Sequence, residues 1–153
     1  MPTGANGAVP QTSADDAVQA ALRLLRHRDR SAAQVERELL TRGFDEDSRE
    51  QGLETLRRTG LVDDARFAQR RASALAGRGA GDALIRHELG AAGVPGELVD
   101  EAVESLDGED ERAARVVERR GAGPKTARYL AGKGFSHDVI RAVVAPAGDE
   151  TLG

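Results

Sequence analysis

Cysteine is absent from the 153-residue chain, which removes disulfides and thiolate metal sites and leaves a reducing cytoplasm as the expected setting. Tryptophan is absent too, and the aromatics amount to Phe44, Phe67, Phe135 and Tyr129. So few rings furnish neither a large sheet core, since strands favour aromatic and β-branched residues, nor a platform on which bases stack. No apolar run is long enough to cross a membrane, and residues 1–14, small and polar, lack the basic and apolar regions of a signal peptide. They read as a disordered leader. His27, His87 and His137 stand apart with no repeated carboxylate or histidine at metal-ligand spacing, and read as surface residues. The serines form no nucleophile elbow. Gly121-Ala-Gly-Pro-Lys-Thr126 has the lysine and threonine of a phosphate loop but lacks its spacing and a preceding strand. No catalytic residue, metal or cofactor is expected, and the chain reads as a non-enzyme.

What the chain does contain is the punctuation of short helices. Hydrophobic residues, 39% of the total, are mainly Ala, Leu and Val, and suit several thin helical cores better than one thick one. Ala17, Ala20, Ala21, Leu24 and Leu25 recur at three and four residues, one face of a helix. Ser31-Ala-Ala-Gln34 has the form of a capping box, with Val35 and Leu39 following on one face and Gly43 as the stop. Asp45 is placed to cap a third helix through Leu53 and Leu56, ending near Gly60.

The pattern then recurs. Leu39, Gly43 and Phe44; Leu89, Gly93 and Val94; and Leu130, Gly134 and Phe135 share one layout of Leu, three residues, Gly and a large apolar residue. Leu53, Val103 and Val144 stand at one distance past these glycines, and Leu56 and Leu106 at another. In each case the glycine is expected to turn a second helix into a third, with the apolar residue plugging the corner. The expected fold is therefore all-α: three tandem degenerate three-helix repeats over residues 15–62, 63–107 and 108–146, after the leader and before a tail at 147–153. A unit of about 45 residues has a marginal core alone, so the repeats should lean on one another. Pro95 and Pro124 suit helix starts, and Pro146 suits the end of the last helix. The stretch from Ala72 to Gly81, with Gly77, Gly79 and Gly81, has more glycine than a helix end requires.

Between the first two repeats, Gly60 ends one helix, Leu61 and Val62 are expected to bury themselves in the joint, and Asp63 or Asp64 to cap the next helix. This stretch, Gly60-Leu-Val-Asp-Asp-Ala-Arg-Phe-Ala68 with Phe67 inside it, resembles the signature of the RecX family, bacterial regulators of the RecA recombinase. Tyr129-Leu-Ala-Gly-Lys-Gly-Phe-Ser136 followed by Val139, Ile140 and Val143 resembles the same family, as does Ala21-Leu-Arg-Leu-Leu25 followed by Ser31, Val35, Leu39 and Gly43. The likeness runs from about residue 16 to about residue 145. It implies an elongated, curved array lodged in the groove of a RecA filament on single-stranded DNA, bridging subunits, hindering ATP hydrolysis and strand exchange, and restraining the coprotease activity behind the SOS response. RecA is then the partner, with single-stranded DNA inside the filament a second contact, and a monomer is the simpler expectation.

The net charge of −4 opposes a purely electrostatic nucleic-acid binder, so any basic surface must be local. Arg23, Arg26, Arg28 and Arg30 bunch where the first helix ends, which already suits its negative terminus. Arg66, Arg70 and Arg71 form a second group, and Arg112, Arg115, Arg119, Arg120, Lys125, Arg128, Lys133 and Arg141 make the third repeat basic. From these, Arg26, Arg28, Arg66, Arg70, Arg71, Arg115, Arg119, Lys125, Arg128 and Lys133 are the candidate partner contacts. The acidic run Glu101, Glu104, Asp107, Glu109, Asp110 and Glu111 reads as a solvated face and linker. Helix-turn-helix-like DNA binding and a helical scaffold for another protein are the alternatives, the first weakened because no one helix concentrates the basic residues. Leu39→Asp or Phe135→Asp would place an unpaired charge in a thin core; each is expected to remove most of the helical circular dichroism signal or cooperative thermal unfolding.

Overall fold

The computed structural model describes residues 13–145, and among them it contains helices and no β-strand. In chain order these are α1 Ala14–His27, α2 Ala32–Thr41, α3 Glu46–Arg58, α4 Asp64–Gly77, α5 Asp82–Ala91, α6 Gly96–Glu104, α7 Glu109–Arg120, α8 Pro124–Gly132 and α9 His137–Val144. The first twelve residues of the expected leader, the expected tail and Pro146 lie outside the described residues. Ser13 and Ala14, assigned to the leader by composition, instead start α1: the Ser13 hydroxyl accepts from the Asp16 amide. Contacts divide the chain into two compact units, residues up to 67 with 92–94, and residues 68–91 with those from 95 onward.

In the first unit, α1 packs chiefly against α3. Small residues make this possible: a Cβ on Gly52 would stand 3.1 Å from the Cβ of Ala17, so the two helices approach to the limit of alanine packing. Ala17, Ala21, Val35, Leu39 and Leu56 are fully enclosed, and Phe44 and Val62 close the cluster. A leucine so enclosed contributes about 1.5–3 kcal/mol relative to an exposed one. The Ser31 capping box with Gln34 is present, and the Asp45 carboxylate accepts from the Ser48 amide at 2.8 Å. That backbone hydrogen bond holds the Asp45 carboxyl below the usual range.

The Leu-Gly-apolar layout has a specific hydrogen-bonding cause. Gly43 takes φ +93°, its amide donates to Leu40 O, and the Phe44 amide donates back to Leu39 O. Gly134 takes φ +92°, and the amides of Gly134 and Phe135 donate to Ala131 O and Leu130 O in the same way. This closes the last turn and brings leucine and phenylalanine together across it. At Gly60 the same closure sends the Leu61 and Val62 amides to Leu56 O, but here one expectation is corrected: Leu61 is 45% exposed while Val62 is buried. Neighbouring side chains in a non-helical joint point to opposite sides, so only one of the two enters the core.

In the second unit, α7, α8 and α9 surround Ala113, Val116, Leu130, Phe135 and Ile140, while α5 packs on α6 through buried residues that include Ile85, Leu89, Val99 and Val103. Pro124 sits at the first turn of α8, and Pro95 is the cap of α6.

One kind of joint occurs once in each unit. In the first, the Ser31 hydroxyl at the start of α2 donates to Ala92 O, the Ala32 amide donates to the Asp64 carboxylate at 2.8 Å, and a Cβ on Gly93 would fall 2.3 Å from that of Ala33. In the second, at the start of α5, the Gly81 amide donates to Lys133 O at 2.8 Å, the Asp82 amide to the Glu109 carboxylate at 2.8 Å and the Ala83 amide to Gly134 O at 3.1 Å. A Cβ on Gly134 would lie 2.6 Å from Leu84 N, and one on Gly81 would lie 2.4 Å from Phe135 N. A helix start thus abuts a glycine corner, and a carboxylate from another helix's first turn takes one of its free amides. Gly134→Ala should therefore cost about 3 kcal/mol or more, from left-handed strain plus overlap with fixed backbone, whereas Gly43→Ala, whose Cβ enters open space, should cost about 1–2 kcal/mol. Urea unfolding of the two variants reads the difference.

Candidate functional site

The basic side chains named from sequence separate into those used inside the fold and those left outside it. Arg66 is turned inward: its guanidinium donates to Gly60 O at 2.9 Å and Leu61 O at 3.4 Å, and lies 3.8 Å from the Asp29 carboxylate. It thereby satisfies carbonyls just past the end of α3. Arg112 has the same task in the second unit and is 7% exposed, which corrects its reading as part of a basic surface. Its Nη1 donates to Asp107 O at 3.0 Å, and its Nη2 to Ala80 O at 3.1 Å and to the Asp82 carboxylate at 2.9 Å. The guanidinium carbon lies 5.9 Å from the centre of the Phe135 ring. The acidic run is exposed as expected except at Glu109, which is half-buried and holds the Asp82 amide, while Glu111 accepts from the Gly108 amide at the surface.

Arg115 and Arg119 follow Arg112 at spacings of three and four on α7, so the three share one face of that helix. All three line a cleft of about 400 Å³ within the second unit. Its apolar lining comes from Ala76, Leu106, Val116 and Phe135, and Ser73 and Ser105 add hydroxyl-bearing residues. Arg115 pairs with the Asp107 carboxylate at 2.6 Å, which raises the pKa of its guanidinium further above the ordinary value. Both partners are more than half exposed, so the pair contributes little to stability. Arg119 is exposed and has no ion-pair partner among the described residues.

The other named cations are dispersed. Lys125 and Arg128 are exposed on α8, and Lys133 is half-buried in the turn after it. None of the three lines the cleft. Arg70 is exposed on α4, and Arg71 pairs with Glu88 at 3.3 Å. Arg26 and Arg28 are exposed at the end of α1 in the first unit, where a second recess, lined by residues that include Arg23, Arg42 and Phe44, also opens. Arg120 stacks its guanidinium 3.8 Å from the centre of the Tyr129 ring. Sequence reasoning found Arg115 and Arg119 but not Ser73, Ser105 or the apolar floor between them. The spacing on α7 was the available signal; the other walls come from distant chain segments. Among the described residues there is no cluster of His, Asp or Glu able to hold a metal ion, and no helix long and apolar enough to cross a membrane.

Two family models match the chain: that of the first three-helix domain of RecX over residues 17–56, and that of its second three-helix domain over 63–103. Among curated proteins, one named regulatory protein RecX from Stenotrophomonas maltophilia is 34% identical, over 81% of this chain and 82% of its own. The protein of the same name from Xanthomonas oryzae pv. oryzae is 37% identical, over 82% and 84%, and that from Halorhodospira halophila 34% identical, over 90% and 92%. The crystal structure of RecX from Lactobacillus salivarius superimposes with a TM-score of 0.74 at 20% identity, covering 92% of this chain and 97% of that one.

The division between internal and external arginines has a measurable consequence. Arg112→Ala leaves a carboxylate and two carbonyls without their donor and should cost about 2–3 kcal/mol, whereas Arg119→Ala should stay within about 0.5 kcal/mol of the parent in urea unfolding.

Proposed function

Because this chain belongs to the RecX family, we propose that it is a regulatory protein that binds the RecA filament on single-stranded DNA and lowers its ATPase, strand-exchange and coprotease activities, so modulating DNA repair and the SOS response. The observation that carries this reading is its identity of 34–37% to proteins named regulatory protein RecX, spread over four fifths or more of both chains. The features of the fold agree with a role in docking rather than catalysis. The buried side chains of Ser31, Arg112 and Thr126 are engaged with carbonyls of the fold itself, and most of its exposed cations lie on helix surfaces.

On this reading the exposed members of the basic set, Arg26, Arg28, Arg70, Arg115, Arg119, Lys125 and Arg128, supply the contact with the nucleoprotein filament, and the half-buried Arg71 and Lys133 flank it. Arg66, a third exposed, also holds the joint before α4. The protein works as a monomer in the cytoplasm and needs no cofactor.

RecA ATPase on single-stranded DNA, titrated with the protein, tests this directly. Inhibition at or below one protein per RecA is expected, with no tight binding to duplex DNA at physiological salt. Reversing Arg115, Arg119 and Arg128 together to Glu should weaken inhibition by about tenfold or more while leaving the circular dichroism spectrum unchanged. Unaltered RecA activity across the titration would sink the proposal, and a sharp footprint on one duplex without RecA would replace it with a DNA-binding function.

A further inference from the structure

We infer that the cleft walled by α4, α7 and the turn between α6 and α7 in the second unit is a socket for one segment of the partner protein, a segment that lays an aliphatic or aromatic side chain against Ala76 and Leu106 and sets a carboxylate against Arg119. This rests on the reading of the chain as a partner-binding regulator and names the chemistry of the piece of partner that is recognised. At about 400 Å³ the cleft has room for a large side chain and its neighbours. Its apolar lining is half-buried at Ala76 and Leu106, backed from the core by Val116 and Phe135, and half-buried groups of this kind are what an anchor residue covers at a protein interface.

Charge selects the sign of the partner. Each guanidinium of the α7 face except one has an acid beside it: Asp82 answers Arg112, and Asp107 answers Arg115. Arg119 is left over. The cleft therefore carries one uncompensated cation, which a single carboxylate complements.

The same observations favour a protein over a nucleic acid. A phosphate backbone is held by several cations in a row, and here Asp107 at the rim would oppose a run of phosphates. Base stacking needs an exposed ring, but Phe135 is 6% exposed.

The test uses the full chain, RecA assembled on oligo(dT) with a slowly hydrolysed ATP analogue, and bare oligo(dT) as the nucleic-acid probe. Ser73→Trp fills the cleft without changing its charge, Arg119→Glu reverses the free cation, and Arg119→Lys keeps it. Both positions are exposed, so thermal unfolding should match that of the parent. Ser73→Trp and Arg119→Glu are each expected to weaken filament binding about tenfold or more, Arg119→Lys to retain most of it, and none to alter oligo(dT) binding. If Ser73→Trp binds the filament like the parent, nothing inserts into the cleft and the inference is wrong, while the proposed function stands. Loss of oligo(dT) binding in step with filament binding would make the cleft a phosphate site, which also overturns it. A parent protein that binds no filament removes the underlying reading and the socket with it.

Discussion

Gly134 has no room for a side chain because the backbone of Leu84 stands where its Cβ would be, and Gly81 is closed off in turn by Gly134 O and the Phe135 amide. This contact of backbone on backbone puts the start of α5 against the corner between α8 and α9, where the amides of Gly81 and Ala83 find carbonyl acceptors while that of Asp82 donates to Glu109 at the start of α7. A helix start has donors that nothing inside the helix satisfies. Here they are satisfied by another part of the fold, so capping and tertiary packing become a single interaction. The position of the cleft depends on it. Phe135 follows the corner glycine, and Arg112 reaches Ala80 O and Asp82 beside the α5 start, so both cleft residues are referenced to the same few atoms.

The first unit uses the equivalent joint with different residues. Ser31 replaces Gly81 and donates through its hydroxyl, Asp64 replaces Glu109 as the acid, and Gly93 replaces Gly134 at the corner. A side-chain hydroxyl and a bare backbone amide serve the same acceptor position, which explains why the repeats diverge so far in sequence. What is retained is a donor, an acid and a glycine at matching places. Their identities vary within chemical limits set by the space available.

Local features were legible in the sequence because their causes are local. The capping box at Ser31, the acid cap at Asp45 and the Leu39-to-Phe44 and Leu130-to-Phe135 corners each depend on residues within six positions, and each appears as expected. The surplus of glycine before α5 was visible too, but its reasons were not. Gly79 ends α4 at φ +91°, and Gly81 is required by a neighbour more than fifty positions later. Glu109 was concealed by its acidic surroundings. Five acids near it look like a solvated stretch, and nothing nearby signals that one of them holds an amide from α5. Leu61 failed for a different reason: adjacent Leu and Val look equally apolar, and only the direction of the chain past Gly60 decides which is buried.

Arginines posed the hardest problem, since composition gives them all one meaning. Arg66 and Arg112 each lie in the first turns of a helix, where a cation is disfavoured by the helix dipole. That placement is tolerable because each side chain runs back to the carbonyls at or just past the end of the preceding helix, a region of negative potential that the chain itself creates. In α4 and α7 the basic residue of the first turn is therefore a structural group, whereas Lys125 in the first turn of α8 stays exposed. Farther along α7 that argument weakens turn by turn. Arg115 reaches only an exposed acid, and Arg119 reaches no acid among the described residues. Along one helix face the arginines thus pass from buried and paired to exposed and unpaired, and all three line the cleft. In a chain acidic overall, each cation's surroundings thus decide its role, and within this cleft one unpaired guanidinium stands beside half-buried apolar groups.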